Sequence, residues 1–224
     1  MTIRIGMLLF PKLTQLDLTG PHEVLARVPG VEQHLVWKNL APVQAGTGLA
    51  ILPTTTLAEA PQFDVLFVPG GRGCVPLMRD PEVLSFLRTQ ARDARYVSAV
   101  CTGSLLLGAA GLLEGYEATT HWAFHDLLAQ CGARPVRKRV VVDRNRLTGG
   151  GVTAGMDFGL RLAAALSNEQ TARAIELGLE YNPEPPFRCG SPELADATLL
   201  SLVRDQLEAS RREHAEALSA RPSA

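Results

Sequence analysis

A cysteine stands at the end of a strand-like segment in the middle of the chain. Residues 96–100, YVSAV, are typical of a buried strand, and the TGSLLLGAAG that follows Cys101 is typical of a turn and a helix. This placement puts the sulfur at a helix amino terminus, where free N–H groups and the helix dipole favour a thiolate. Cys101 is therefore a candidate nucleophile, although the same pattern also fits an inert buried cysteine.

Two glycine-rich segments could line the site of such a nucleophile. Gly70 and Gly71 follow the apolar segment DVLFVP, and three glycines occupy positions 149–151. Glycine lets backbone N–H groups face a ligand and stabilise a developing negative charge. Each glycine segment taken alone fits an ordinary tight turn equally well.

An acidic residue and several histidines complete the set of candidate side chains. Asp17 lies between two leucines near the end of the first predicted strand, where it could act on a substrate or cap the following turn. The other titratable candidates, for which the sequence favours structural roles, are His22, Glu23, His121 and His125. Cys74, Cys131 and Cys189 lack the strand-to-helix position and are predicted to be unreactive.

Strands and helices alternate along the chain. We predict strands at 3–10, 34–38, 43–56 (one or two), 64–69, 96–100 and 137–142, and helices at 81–94, 102–113, 122–131, 153–166, 169–181 and 192–218. Residues 13–18 are predicted to form a loop, with a helix beginning at Thr19-Gly20-Pro21. This alternation predicts an α/β fold, a mainly parallel sheet with helices on both faces, whose ligands bind at the carboxyl ends of strands. Three glycine-rich strand ends, after Leu18, after Pro69 and at Cys101, are expected to converge on one crevice.

Composition excludes several classes of protein. The chain has 224 residues, 46% hydrophobic and 20% charged, with a formal net charge of −1, which argues against disorder and against nucleic-acid binding. No apolar segment is long enough to span a membrane, and residues 1–10 do not resemble a secretion signal. We expect one domain over residues 1–218, a frayed tail over 219–224, a cytoplasmic location, reduced cysteines and no zinc site.

Several motifs, taken together and in order, resemble the ThiJ/PfpI superfamily. They are LDLTGPHEVL, PGG after DVLFV, AVCTGSLLLGAAGLL, ATTHW, TGGGVTAGMDFGL and YNPEPPF, and they span nearly the whole chain. The resemblance implies a flavodoxin-like three-layer sandwich, a homodimer, and a reactive cysteine at Cys101 on a strained turn. Many members carry a histidine directly after this cysteine, whereas this chain has Thr102.

Asp17 combined with Cys101-Thr102 is similar to the isonitrile hydratase branch of the superfamily. That resemblance implies hydration of a small isonitrile to an N-substituted formamide, without a metal or an organic cofactor. Cys101 would attack the substrate, Asp17 would share a proton with it, and Thr102 would orient the pair. The N–H groups of Gly71 and Thr102 would stabilise charge, and Gly150 and Val152 would form part of the pocket wall.

Two alternatives stay open on the same residues. A glyoxalase-like or redox-stress protein of the superfamily would use Cys101 differently, for example by oxidation. A ligand-sensing domain related to AraC-type regulators shares the THW and YNPEPPF segments. Such a regulator needs a helix-turn-helix module, and after residue 190 the sequence predicts only one helix and a short tail.

Overall fold

A computed structural model describes residues 2–220 of the chain and contains one large sheet and two small ones. The strands are β1 (Ile3–Leu8), β2 (Val31–Trp37), β3 (Val43–Gln44), β4 (Ala50–Ile51), β5 (Thr55–Thr56), β6 (Val65–Val68), β7 (Tyr96–Val100), β8 (Glu117–Ala118), β9 (Arg134–Pro135), β10 (Val140–Asp143) and β11 (Arg146–Gly149). The helices are α1 (Gln15–Leu25), α2 (Cys74–Leu77), α3 (Pro81–Asp93), α4 (Gly103–Ala109), α5 (Ala154–Leu166), α6 (Glu169–Gly178) and α7 (Ala197–Ser219), with a 3₁₀ helix at Trp122–Cys131.

The large sheet has seven strands in the order β10-β11-β7-β6-β1-β2-β5. All neighbouring pairs are parallel except β10 and β11, which are antiparallel. The chain leaves β1 toward β2 and later returns to β6 on the other side of β1, so the strand order reverses at β1. Ligands of open parallel sheets bind at such a reversal. The segments that follow β1, β6, β7 and β11 therefore meet at one end of the sheet, as predicted.

Helices cover the sheet as two outer layers. In one layer α1 packs against α5, and α5 against α6. In the other, α4 lies against β6 and β7, while α2, α7 and the 3₁₀ helix pack around α4. The strands between them are apolar: Val65, Phe67 and Val97 are fully buried, as a sheet covered on both faces requires. The predicted flavodoxin-like three-layer sandwich is confirmed.

Some predicted elements were wrong: residues 43–56 contain three short strands where one or two were predicted, α7 begins at Ala197 and not at 192, and β11 was not predicted. The first helix also differs, and there the structure shows a physical reason. Residues 13–18 were expected to form a loop before a helix that begins at Thr19, but α1 already begins at Gln15 and contains Pro21 in its interior. Proline there removes one helical hydrogen bond. Pro21 and Val24 of α1 are buried against α5, where Gly155 and Gly159 have no side chains to keep them away. Packing between the two helices therefore outweighs the preference of proline for the first turn of a helix.

The capping prediction at α3 is confirmed, because the Asp80 side chain accepts hydrogen bonds from the N–H groups of Glu82 and Val83. At the other end of the chain, Ser219 is the last residue of α7. Most of the tail predicted at 219–224 lies outside the described residues, which stop at 220. Within residues 2–220, no helix combines the length and the apolar character needed to cross a membrane.

Candidate active site

Cys101 lies on a strained turn between β7 and α4. Its φ angle is 53°, in the left-handed region that non-glycine residues rarely adopt. Such strain costs about 1–3 kcal/mol and persists only where the surrounding structure holds it in place. The turn that the family resemblance implied for Cys101 is therefore present.

Hydrogen bonds to the backbone of Cys101 hold this turn. Its N–H donates to the carbonyls of Gly149 and Gly150 at 3.1 and 2.8 Å. Its carbonyl accepts from the hydroxyl of Thr120 at 2.6 Å. The turn also needs glycine at position 103, since a Cβ there would lie 2.3 Å from the carbonyl oxygen of Val68. The backbone around the sulfur is thus fixed from three neighbouring segments.

Asp17 reaches the same place from the first turn of α1. Its side chain is fully buried, and Oδ2 accepts a hydrogen bond from the Gly70 N–H at 3.0 Å. Its other oxygen, Oδ1, is buried without a regular hydrogen-bond partner in the described part of the chain, which leaves a lone pair for a proton. Burial raises the pKa of Asp17 to about 7, although hydrogen bonds with the Cys101 thiol and the Gly70 N–H oppose the rise.

The resting state of Cys101 differs from the expectation of a thiolate. Burial raises the pKa of its thiol well above the usual value, and the negative charge of Asp17 raises it further. The N–H of Thr102, which contacts the sulfur at the start of α4, lowers the pKa but does not balance those effects. Near neutral pH the pair therefore consists of a Cys101 thiol beside an Asp17 carboxyl that is close to its own titration point.

Thr102 contacts the sulfur through its backbone and a neighbouring loop through its side chain. The hydroxyl accepts a hydrogen bond from the Gly71 N–H at 2.9 Å and lies 3.3 Å from the Gly71 carbonyl oxygen. The Thr102 hydroxyl thus connects the loop after β6 to the cysteine turn, rather than bonding to Asp17. The Gly71 N–H is already donated to Thr102, whereas the Thr102 N–H faces the sulfur directly.

The remaining predicted pocket residues lie on the other side of Cys101. Gly150 accepts from the Cys101 N–H and donates its own N–H to the Arg139 carbonyl at 2.9 Å. Val152 is half-buried in the turn between β11 and α5. Gly150 lies in direct contact with the cysteine turn, and Val152 follows two residues later in the chain.

Three of the titratable candidates from the sequence, His22, Glu23 and His121, make contacts within the helices that contain or follow them. The carbonyl of His22 accepts from Ala26 within α1, and Glu23 forms an ion pair with Arg27 at 2.7 Å on the exposed side of that helix. His121 caps the 3₁₀ helix through Nδ1, which accepts from the Ala123 N–H. Burial lowers the pKa of His121 to about 4, so this side chain is neutral near pH 7.

Two further residues, Thr120 and Cys74, lie at the site although the sequence did not place them there. Thr120 holds the Cys101 carbonyl, while Gly70, which the sequence did single out, separates Asp17 from Cys101. Cys74, which was placed in a loop and predicted to be unreactive, begins α2 beside the site, with its sulfur 3.9 Å from the Thr102 hydroxyl. Burial raises the pKa of Cys74, which keeps it a thiol. No periodic pattern in the sequence links residues so far apart.

Known proteins resemble this chain in sequence and structure. It is 57% identical over 204 residues to an isonitrile hydratase of Pseudomonas putida, covering 91% of this chain and 90% of that protein. A ThiJ/PfpI family protein from Pseudomonas syringae has a crystal structure that matches with a TM-score of 0.95 and 42% identity, over 97% of this chain and 91% of that one.

A transcriptional regulator, GbdR of Pseudomonas aeruginosa, is 34% identical over 180 residues. That match covers 76% of this chain but only 48% of the regulator. A sequence profile described as the DJ-1/PfpI family matches residues 3–165. The profile covers most of the chain, including Asp17, the Gly70–Gly71 loop and the Cys101 turn, and we conclude that this chain belongs to the DJ-1/PfpI family.

Proposed function

We propose that this protein is an isonitrile hydratase, a hydro-lyase that converts R–N≡C and water into the formamide R–NH–CHO. The observation that carries the proposal is the buried pair of Asp17 and Cys101, in which a carboxyl with a pKa of about 7 contacts a thiol. The identity of 57% to the Pseudomonas putida isonitrile hydratase supports the same reaction.

The first step uses the pair to add a thiol across the terminal isonitrile carbon. Sulfur forms a bond to that carbon while the Asp17 carboxylate accepts the thiol proton, and the same proton then passes to the carbon. The product is an enzyme-bound thioimidate, R–N=CH–S–Cys101. Because Cys101 is a thiol at rest, Asp17 has to act as a base here, and its raised pKa makes it a stronger base than an exposed carboxylate.

The second step hydrolyses the thioimidate. Water adds to the C=N bond, its oxygen to carbon and a proton to nitrogen, which gives R–NH–CH(OH)–S–Cys101. The C–S bond then breaks as the hydroxyl proton returns through Asp17 to sulfur, releasing R–NH–CHO and restoring the thiol. Covalent catalysis thus divides one difficult hydration into two easier steps.

Backbone groups around the sulfur support both steps. The Thr102 N–H contacts the sulfur and stabilises charge that develops there. Gly71 acts through Thr102, whose hydroxyl is bonded to the Gly71 peptide, and Gly150 fixes the Cys101 N–H. The scheme involves only groups of the chain itself, the substrate and water.

We also propose that the protein forms a homodimer. Leu16, next to Asp17, and Leu49 and Leu52, on and beside the β3–β4 hairpin, are large apolar side chains that remain exposed in the single chain. Burial of such side chains between two copies would be favourable. Light scattering coupled to size exclusion measures the mass in solution. A cytoplasmic location stays a prediction from the sequence.

The decisive experiment is an assay of formamide production from a small isonitrile such as cyclohexyl isocyanide. We expect turnover by the wild-type protein, none by Cys101→Ala, and a loss of at least about 100-fold for Asp17→Asn, in line with the usual contribution of a positioned acid–base group. In Asp17→Asn, rapid quenching and mass spectrometry should detect a covalent adduct on Cys101 if water attack is slowed more than thiol addition. Full activity of Cys101→Ala would exclude the covalent route.

The same preparation separates the alternative functions. Turnover of methylglyoxal, with none of any isonitrile, would favour the glyoxalase-like activity over the hydratase. Turnover of neither substrate, together with binding of a small molecule, would favour a sensing domain. The observation that favours a sensing domain is the match to GbdR, which covers about half the length of that regulator.

A further inference from the structure

A cavity of about 240 Å³ lies directly beside the Cys101 turn. Gly150 and Thr120 form part of its wall, and both are hydrogen-bonded to the backbone of Cys101. Its volume lies just below the usual range for small-molecule sites, roughly 300–1,000 Å³, so a ligand that fills it has to be compact. The cavity therefore adjoins the backbone of the Cys101 turn through Gly150 and Thr120, and a compact side group fits its volume.

The lining of the cavity carries an excess of positive charge. Arg137, Lys138 and Arg139 line the cavity, while Glu193 is the carboxylate that lines it. Arg139 is neutralised by Asp157, with Nε 2.6 Å from the carboxylate oxygen. Arg137 forms no close ion pair within residues 2–220, although its charge interacts with that of Glu193. Lys138 has no carboxylate within ion-pair distance in the same part of the chain, so the positive charge at the cavity is only partly offset.

A buried histidine on the same cavity lacks a hydrogen-bond partner. His125 is only 7% exposed and lines the cavity, and its Nε2 makes no hydrogen bond to any described residue. A buried polar atom without a partner is costly, and in folded proteins such atoms are rare. A polar group on a ligand bound in the cavity would satisfy this nitrogen.

Apolar groups complete the wall. Trp122, Ala154 and Pro192 line the cavity together with the glycines at 150 and 151, which leave room because they have no side chain. A ligand that fits these surroundings combines a compact apolar body with an anionic end. Guanidinium and ammonium groups bind carboxylates through charge-assisted hydrogen bonds, and a carboxylate is the smallest such anion that a compact organic side group carries.

We propose that this cavity binds a carboxylate carried by the side group of the isonitrile, so that the preferred substrates are isonitriles with an acidic substituent. The inference rests on the proposed hydratase activity and specifies its substrate class. Arg137 and Lys138 supply the attraction, His125 offers an additional polar contact, and Trp122 packs against the apolar body.

The experiment compares acids with their neutral esters, so that only the charge of the side group changes. The pairs are 4-isocyanobenzoate with its methyl ester, and isocyanoacetate with its methyl ester, which test a long rigid spacer and a short one. Since the cations are exposed, we expect kcat/KM to favour the acids by about tenfold at low ionic strength, with the preference shrinking as salt screens the charges.

Matched variants locate the effect. Arg137→Gln combined with Lys138→Gln should reduce the ratio of acid to ester by about the full tenfold through KM of the acid. Arg92→Gln on α3, which removes an exposed charge whose guanidinium donates a hydrogen bond to Thr89, should leave the ratio unchanged. Calorimetry with 4-formamidobenzoate, the product of the longer acid, should show weaker binding to the double variant than to Arg92→Gln.

The outcomes separate the proposed preference for acidic substrates from the proposed hydratase activity on which it rests. Failure of all four isonitriles and of cyclohexyl isocyanide to react would overturn the hydratase proposal and this inference with it. Hydration of cyclohexyl isocyanide with no reaction of the four would overturn the inference alone. Rapid hydration of the esters with an equal or lower kcat/KM for the acids would overturn the inference alone. A preference for the acids that survives in the double variant would also overturn it, because the charge recognition would then lie elsewhere.

Discussion

Asp17 and Cys101 meet across Gly70, whose missing side chain is the reason that they can. A Cβ on Gly70 would lie 2.8 Å from Asp17 Oδ2 and 2.8 Å from the Cβ of Cys101. The same atom would lie 2.6 Å from the Thr102 nitrogen, and contacts below 3.0 Å require something to move. The segments that follow three strands thus pack so closely at Gly70 that a Cβ does not fit between them.

Gly70→Ala should therefore abolish hydratase activity and destabilise the protein. Overpacking of a tight site typically costs about 1–3 kcal/mol, because the surrounding backbone has to shift. Thermal unfolding measures the stability, and formamide production measures the activity. Gly178→Ala is the matched control, since a Cβ there meets no atom within 4 Å and the position needs no unusual φ angle. An active, stable Gly70→Ala would show that the pair has more room than the structure indicates.

Asp17→Asn should be inactive yet more stable than the wild type at alkaline pH. The Asp17 pKa rises from 3.8 to about 7 on folding, so the folded state binds more protons between these values and its stability falls as pH rises across them. Asparagine does not ionise and avoids this loss. We expect a gain of roughly 1–3 kcal/mol above pH 7, and little difference near pH 4.

Urea unfolding at several pH values measures this difference directly. Asp126→Asn serves as control, because Asp126 forms an exposed ion pair with Arg211 and such pairs contribute less than about 1 kcal/mol. A stability difference between wild type and Asp17→Asn that does not depend on pH would contradict the raised pKa.

Alkylation by iodoacetamide should report the protonation state of Cys101. The thiol pKa is raised by burial and by the charge of Asp17, so Cys101 should react slowly at pH 7, and faster as pH rises. In Asp17→Asn the second cause is removed, and a fall of one pKa unit would raise the rate at neutral pH by about tenfold.

The measurement needs a background without the exposed Cys189, for which Cys189→Ser is suitable. Mass spectrometry of the peptide that contains Cys101 then follows the modification, with the buried Cys131 as an internal reference. Rapid alkylation of Cys101 in the wild type at pH 6 would mean that the resting cysteine is a thiolate after all.

Thr102→Val should impair the enzyme while preserving the shape of the side chain. The substitution removes the hydroxyl that accepts the Gly71 N–H, and an unpaired buried donor costs about 1–3 kcal/mol. We expect kcat to fall by about 10- to 100-fold with a smaller change in KM, since the Thr102 N–H beside the sulfur is retained. Thr102→Ser keeps the hydroxyl and should recover most of the activity. Equal activity of the Val and Ser variants would exclude a role for the hydroxyl.

Much of the fold could be predicted because its signals are local. The apolar segments at 65–68 and 96–100 and the capped helix that begins at Pro81 show their type within a few residues. The start of α1 could not be predicted in this way, because its helical form depends on contact with Gly155 in α5, well over a hundred residues later in the chain.

The candidate site also combines features that the sequence shows with features that only the folded chain shows. The sequence alone determined that a cysteine ends a buried strand, that glycines follow a neighbouring strand, and that Asp17 is an acidic residue in an apolar stretch. Only the tertiary structure decided that these groups touch, because β1, β6 and β7 become neighbours through the order of strands in the sheet. Only burial in that shared space decided the protonation of the pair, since a pKa depends on the solvent and charges around a group and not on its type.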